Sequence, residues 1–235
     1  MAGIRKCQNP LPLCMVLNET YYYPLSSTHF ARFAIFRQDR QQSPEDLLYN
    51  GSGGGVAQLV AEGTTVMREQ KHCMTGEKVS EWLALDIIPD TRTAAIRMIT
   101  GYCPPNATLD TRWLESQFED AARQKMPCVF TGDLNAKSPL WSKDLWNAHG
   151  FTLNDAVNRL GLKVLPSPPT RIDLRTGKKS TLDLWVLNDL ALPLVAGRVS
   201  AKDRLTSDHF ATTVHLRLPA IGHRLPPPVI EPQPR

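Results

Sequence analysis

No stretch of this 235-residue chain is apolar over a length that would cross a bilayer, which sets aside a protein held by membrane-spanning helices. Cysteines number five, an odd count without a Cys-x-x-Cys spacing, so neither a disulfide framework nor a zinc site has a basis in the sequence. Reduced thiols in an intracellular protein are the expectation. Internal repeats are absent too. Charge is nearly balanced, with 27 Lys and Arg against 23 Asp and Glu for a net +4. Such a mildly basic chain suits a phosphate-bearing substrate but is too weakly charged to identify one. The apolar stretch Leu11 to Leu17 follows Arg5 and Lys6 as a secretory signal would, yet it is short, carries Pro12 and runs into Asn18-Glu19 without a small-residue cleavage site. A buried strand is the better reading.

What is present is enough apolar material, 42% of residues, for one sizeable core. The expectation is a single domain over residues 1–220, followed by a proline-rich tail over 221–235 in which Leu225-Pro226-Pro227-Pro228 opens an extended, disordered end. Strand and helix patterns alternate along the domain, as an α/β layer fold requires. Phe33 to Phe36 and Val56 to Val60 read as strands, with Pro44 to Gly55 a loop between them. Ser80 to Ile88 pairs with Ala94 to Thr100 through the turn Pro89-Asp90-Thr91-Arg92. Asp110 or Thr108 caps a helix whose Trp113, Leu114, Phe118, Ala121 and Ala122 share one face, and Pro127 marks the exit to the next strand. A second helix carries Leu153, Ala156, Val157 and Leu160 and stops at Gly161.

Two segments carry the chemistry. Gly132-Asp133-Leu134-Asn135-Ala136 follows the apolar run Cys128-Val129-Phe130-Thr131, so a strand delivers a carboxylate and an amide to its own end, where a glycine admits close approach. Ser207-Asp208-His209 sets a carboxylate beside an imidazole at the start of the alternating run Phe210 to Leu216. Together they supply hard oxygen ligands for a divalent cation, a group to orient water and a proton carrier, the requirements of metal-assisted phosphodiester hydrolysis. Taken singly, Gly132-Asp133 also reads as a turn and Asp208-His209 as a surface or capping pair.

Further matches occur in chain order. Asn18-Glu19-Thr20 follows Cys14 to Leu17, Gly53-Gly54-Gly55 leads into Val56 to Val60, and Gly101-Tyr102-Cys103-Pro104-Pro105 follows Ile96 to Ile99. Ser180-Thr181-Leu182-Asp183 opens a run through Leu187. This ordered set, from about Met15 to about Leu218, resembles the endonuclease/exonuclease/phosphatase superfamily, most closely the apurinic-endonuclease-like domain of non-LTR retrotransposons.

The resemblance implies a four-layer α/β sandwich, two packed mixed sheets flanked by helices, and a metal-dependent endonuclease that nicks DNA with Mg²⁺, or Mn²⁺ in its place. It implies metal binding by Glu19 and Asp208, and water activation by Asp133 with Asn135 on the phosphate or water. Tyr102 would bond the scissile phosphate, and His209, its ring held by Asp183, would stabilise the transition-state charge. The family also has a loop beside the DNA, corresponding here to Arg171, Arg175, Lys178 and Lys179 around Arg175-Thr176-Gly177-Lys178-Lys179. Double-stranded DNA is therefore the expected partner, the nucleus the expected location, and a reverse transcriptase domain the companion in a full-length element. Family members begin with a strand bearing a metal-proximal Asn, whereas Asn9 lies too near Glu19 for that role, so a missing first strand and an N-terminally truncated copy are expected. Two other readings stay open: a non-catalytic relic that binds nucleic acid or a partner, and a phosphomonoesterase or lipid phosphodiesterase of the same superfamily.

Overall fold

Strands whose every residue is apolar or nearly so are buried on both faces, and three of them organise this chain. Residues 12–22, 28–40, 54–73, 80–202 and 207–220 are described by a computed structural model. In order they form β1 (Cys14–Asn18), β2 (Phe33–Gln38), β3 (Val56–Ala61), β4 (Thr65–Cys73), β5 (Glu81–Ile88), β6 (Ile96–Tyr102), α1 (Arg112–Arg123), β7 (Cys128–Asp133) and α2 (Ala148–Arg159). Short strands follow: β8 (Lys163–Val164), β9 (Arg171–Ile172), β10 (Lys179–Ser180), β11 (Asp183–Leu187), β12 (Ser200–Lys202) and β13 (Ala211–Thr213). The larger sheet has six strands in the order β4-β5-β6-β7-β11-β8, with β6 and β7 parallel across the α1 crossover, and the smaller has the order β1-β3-β2.

Side-chain alternation decides the layering. In β5, Trp82 and Ala84 face one way while Leu83, Leu85 and Ile87 face the other, and in β7 Cys128 and Phe130 oppose Val129. One face packs against Leu114, Phe118 and Ala121 of α1 and Leu153 and Val157 of α2. The opposite face meets Val56 and Val60 of β3, so the smaller sheet closes the other side. Each such side chain, withdrawn fully from water, stabilises the fold by about 1.5–3 kcal/mol before entropy is counted. The result is an α/β sandwich of two packed sheets, and the described residues account for three of its expected layers, both helices lying on one side.

The helices form where their patterns place them. Asn147 caps α2 by accepting the Gly150 N–H at 2.8 Å, and Gly161 ends it with φ +65°. For α1 the N-cap is Thr111 rather than Asp110 or Thr108, while Asp110 takes the Arg112 N–H at 3.0 Å. Arg97 of β6 fastens α1 to the sheet. Fully buried, it grips Asp86 of β5 at 2.6 and 2.8 Å and reaches Gln117 O at 3.0 Å and Asp120 at 2.8 Å.

Two features depart from the sequence pattern. β4 is a nine-residue strand without a clear apolar face, recruited as a sheet edge by pairing with β5, and its Arg68, Glu69 and Lys71 suit an exposed edge. The run from Phe210 to Leu216 forms a strand only over Ala211–Thr213, because its ladder partner among the described residues is the three-residue β12. Gly53, most of the expected 44–55 loop, Asn9 and the proline-rich tail lie outside the described residues. Among the described residues β1 pairs with β3 alone.

Candidate active site

Register assembles the site. Across four neighbouring strands Glu81, Tyr102, Asp133 and Asp183 stand directly opposite one another, so one row of the large sheet carries four polar side chains on the face toward the small sheet. Immediately behind that row, Gly132 lies against Gly101, and a Cβ on Gly132 would come within 2.1 Å of the Gly101 carbonyl oxygen. Only glycine lets β6 and β7 approach this closely just where they end at the site.

Asp133 is the buried centre. Its Oδ1 accepts the N–H of Asn135 at 2.8 Å, in a turn where Asn135 adopts φ +49°. The Asn135 side-chain amide donates to Cys103 O at 3.0 Å and the Asn135 backbone carbonyl accepts from the Asn147 side-chain amide at 2.8 Å, pinning the turn between β6 and α2. The second oxygen of Asp133 faces His209 Nε2 at 3.8 Å. His209 is oriented from behind by Asp183, whose Oδ2 lies 2.8 Å from Nδ1. Burial and the nearby Asp183 carboxylate hold Asp133 well above the ordinary carboxylate range, opposed by His209. Burial alone would lower the imidazole, but the bond to Asp183 and the charges of Asp183 and Asp133 outweigh it and push His209 up to about 9.

Glu19 arrives from the end of β1 with φ +51°, and the Tyr102 hydroxyl donates to it. Burial and this carboxylate raise the Tyr102 phenol far above its usual value, so it stays a neutral donor. Glu19 and Asp183 both act on Asp133 as like charges. Asp133, Asp183 and His209 offer ligand atoms within 4.8 Å of one another. Buried Asp133 and half-buried Asp183, close together and offering hard oxygen donors, fit a divalent cation.

The other expected residues lie beside this group. Asp208 places Oδ2 2.8 Å from Arg171 Nε, so its carboxylate is engaged by a guanidinium expected to face DNA. Arg175, Lys178 and Lys179 are exposed on the β9–β10 hairpin, where Lys178 also pairs with Asp144 at 2.7 Å. Sequence reasoning missed Arg40 and Glu81. Glu81 is completely buried, Arg40 Nε donates to it, and the Arg40 guanidinium lies 5.8 Å from the centre of the Tyr102 ring. The one signal was a glutamate opening a largely apolar strand.

The family model described as endonuclease-reverse transcriptase matches residues 96–213, a span that includes Tyr102, Asp133, Asn135, Asp183, Asp208 and His209. No curated protein matches the chain. Among solved structures, the endonuclease domain of TRAS1, a telomere-specific non-LTR retrotransposon, is 24% identical with a TM-score of 0.57, over 80% of this chain and 82% of that one. The human Nocturnin catalytic domain is 17% identical with a TM-score of 0.56, over 88% and 81% of the two chains. D. rerio TDP2, complexed with a single-strand DNA product, is 11% identical with a TM-score of 0.53, over 88% and 86%. At these identities the likeness is one of fold.

Proposed function

Given that this chain belongs to the endonuclease-reverse transcriptase family, enzymes of the endonuclease/exonuclease/phosphatase fold, we propose that it is a Mg²⁺-dependent endonuclease that nicks double-stranded DNA in the manner of a retrotransposon target-site enzyme. The observation that carries this reading is the convergence of Asp133, Asp183 and His209, with Tyr102 and Glu19 alongside, from three strands and two loops onto one end of the packed sheets.

Glu19 and Asp183, the like charges gathered around Asp133, are the carboxylates that would hold the cation. When bound it supplies charge neutralisation at the phosphate and at the leaving oxygen. The chain's own residues do the rest. Asp133, with one oxygen fixed by the Asn135 N–H, presents the other to a water and orients it for in-line attack. His209, protonated and steered by Asp183, donates from Nε2 to the phosphoryl oxygens, where negative charge accumulates. Tyr102 holds Glu19 in place. Arg175, Lys178 and Lys179 grip the duplex backbone from the hairpin, and a partner reverse transcriptase domain and a nuclear location follow from this activity.

The test is conversion of supercoiled plasmid to nicked circles with and without Mg²⁺, for the wild type and Asp133→Ala. Nicking that needs Mg²⁺ and disappears in Asp133→Ala, while DNA affinity is kept, is the expected result. Nicking by Asp133→Ala at the wild-type rate, or hydrolysis of inositol phosphates or sphingomyelin in place of DNA, overturns it.

A further inference from the structure

Between the catalytic turn and α2 the chain exposes more apolar surface than a solvated loop requires. Leu140 is 67%, Leu145 87% and Phe151 59% exposed. Phe151 stacks on Trp146 with ring centres 4.6 Å apart and planes at 9°, and Trp146 meets Trp141 edge-on at 6.2 Å. The ledge is rigidly joined to the active site. The Trp141 indole donates to Ala136 O at 3.0 Å, and the Asn147 amide spans Asn135 O and the Lys137 N–H, both at 2.8 Å. On its other side Lys178 of the basic hairpin closes on Asp144 at 2.7 Å, cancelling the acid beside the aromatic pair.

We propose that this ledge is a stacking platform for unpaired nucleobases of the DNA strand whose phosphate occupies the cleft. The inference rests on the DNA-nicking reading above and adds a substrate preference to it. Exposed clusters of this kind mark interaction sites. Charge selects the occupant: exposed Lys143 and Lys178 flank the ledge, Asp144 is held by Lys178, and Asp155, one turn along α2 from Phe151, is paired with Arg159 at 3.2 Å, so a polyanion is attracted while a second copy would bring like charges together. Shape agrees, because the stacked Trp146 and Phe151 extend a flat π-surface onto which a base can continue the stack. The ledge begins at residues bonded to the Asp133–Ala136 turn, so bases stacked there flank the scissile phosphate.

The experiment compares binding, in EDTA, of a fully paired duplex and a duplex of equal length with a central run of unpaired thymines. It is read by anisotropy and by quenching of tryptophan emission. The wild type should prefer the unpaired form by about 5- to 150-fold and be quenched by it, the range expected for one base stacked on an aromatic ring. In Phe151→Ala that ratio should fall toward one. Phe151→Leu, which keeps the apolar bulk and safeguards folding, should behave the same way. A wild type without the preference, or both variants retaining it, overturns the proposal, as does a self-dimer seen by sedimentation that Phe151→Ala dissociates. Plasmid nicking run in parallel separates the two readings. A protein that nicks but lacks the preference overturns only the stacking platform, and one that neither nicks nor binds either DNA overturns both.

Discussion

Replacing His209 with glutamine should flatten the pH dependence of stability in the metal-free protein. Asp183 holds the His209 ring at 2.8 Å, and the folded imidazole titrates at about 9 against an ordinary 6.5. A group raised on folding stabilises fully below its unfolded value, and that contribution is lost as the pH climbs through the folded one. Moving from 6.5 to about 9 at 1.4 kcal/mol per pH unit comes to roughly 3 kcal/mol. The ring is 27% exposed, so solvent screening reduces the expectation to about 2 kcal/mol. Asp133 complicates the measurement: its raised carboxyl also loses stability as the pH rises, over a lower window. Both proteins should therefore carry Asp133→Asn, which leaves Asp183 as the principal partner of the ring. Urea unfolding in EDTA at pH 6, 7, 8 and 9 is the assay. With the Asp133 charge that helps raise His209 removed, the histidine protein should lose about 1–2 kcal/mol more than the glutamine variant across that range, or about 2–8 °C in a thermal scan. Parallel curves for the two proteins would show that Asp183 does not hold a charged imidazole, and the transition-state role given to His209 would go with it.

Other outcomes follow from the packing around the site. Arg97→Met should cost about 3–5 kcal/mol in urea unfolding by stranding Asp86 in the core, and adding Asp86→Leu should recover much of it. Gly132→Ala should destabilise by about 1–3 kcal/mol and abolish nicking, since its Cβ would push β6 and β7 apart beneath Tyr102 and Asp133. Lys178→Ala combined with Lys179→Ala should weaken duplex binding and lower the slope of log affinity against log salt by about 1–2, without changing nicking at saturating DNA.

The site was legible in the sequence to the extent that its chemistry is local. Gly132-Asp133 at the end of an apolar run, Tyr102 at the end of another, and Asp183 opening a third are each placed by strand pattern, because a strand of alternating or continuous apolar residues must end where its polar residues begin. The helices were legible for the same reason, their apolar stripes at helical spacing and their stops at Gly161 and before Pro127. Pairing partners were not. β4 has no periodicity of its own and is a strand because β5 offers it an edge, while among the described residues the alternating run after His209 is offered only the short β12. Nor could spacing show which carboxylates meet. Asp183 reaches the Asp133–His209 centre because register sets it opposite Asp133, whereas Asp208, adjacent to His209 in the chain, turns to Arg171. Sequence alone determined which residues could do the chemistry, since composition and local pattern suffice to place polar groups at strand ends. Tertiary structure decided which of them share a dielectric and a distance, as with Arg40 and Glu81 behind Tyr102, because burial and through-space charge depend on strands brought together from across the chain.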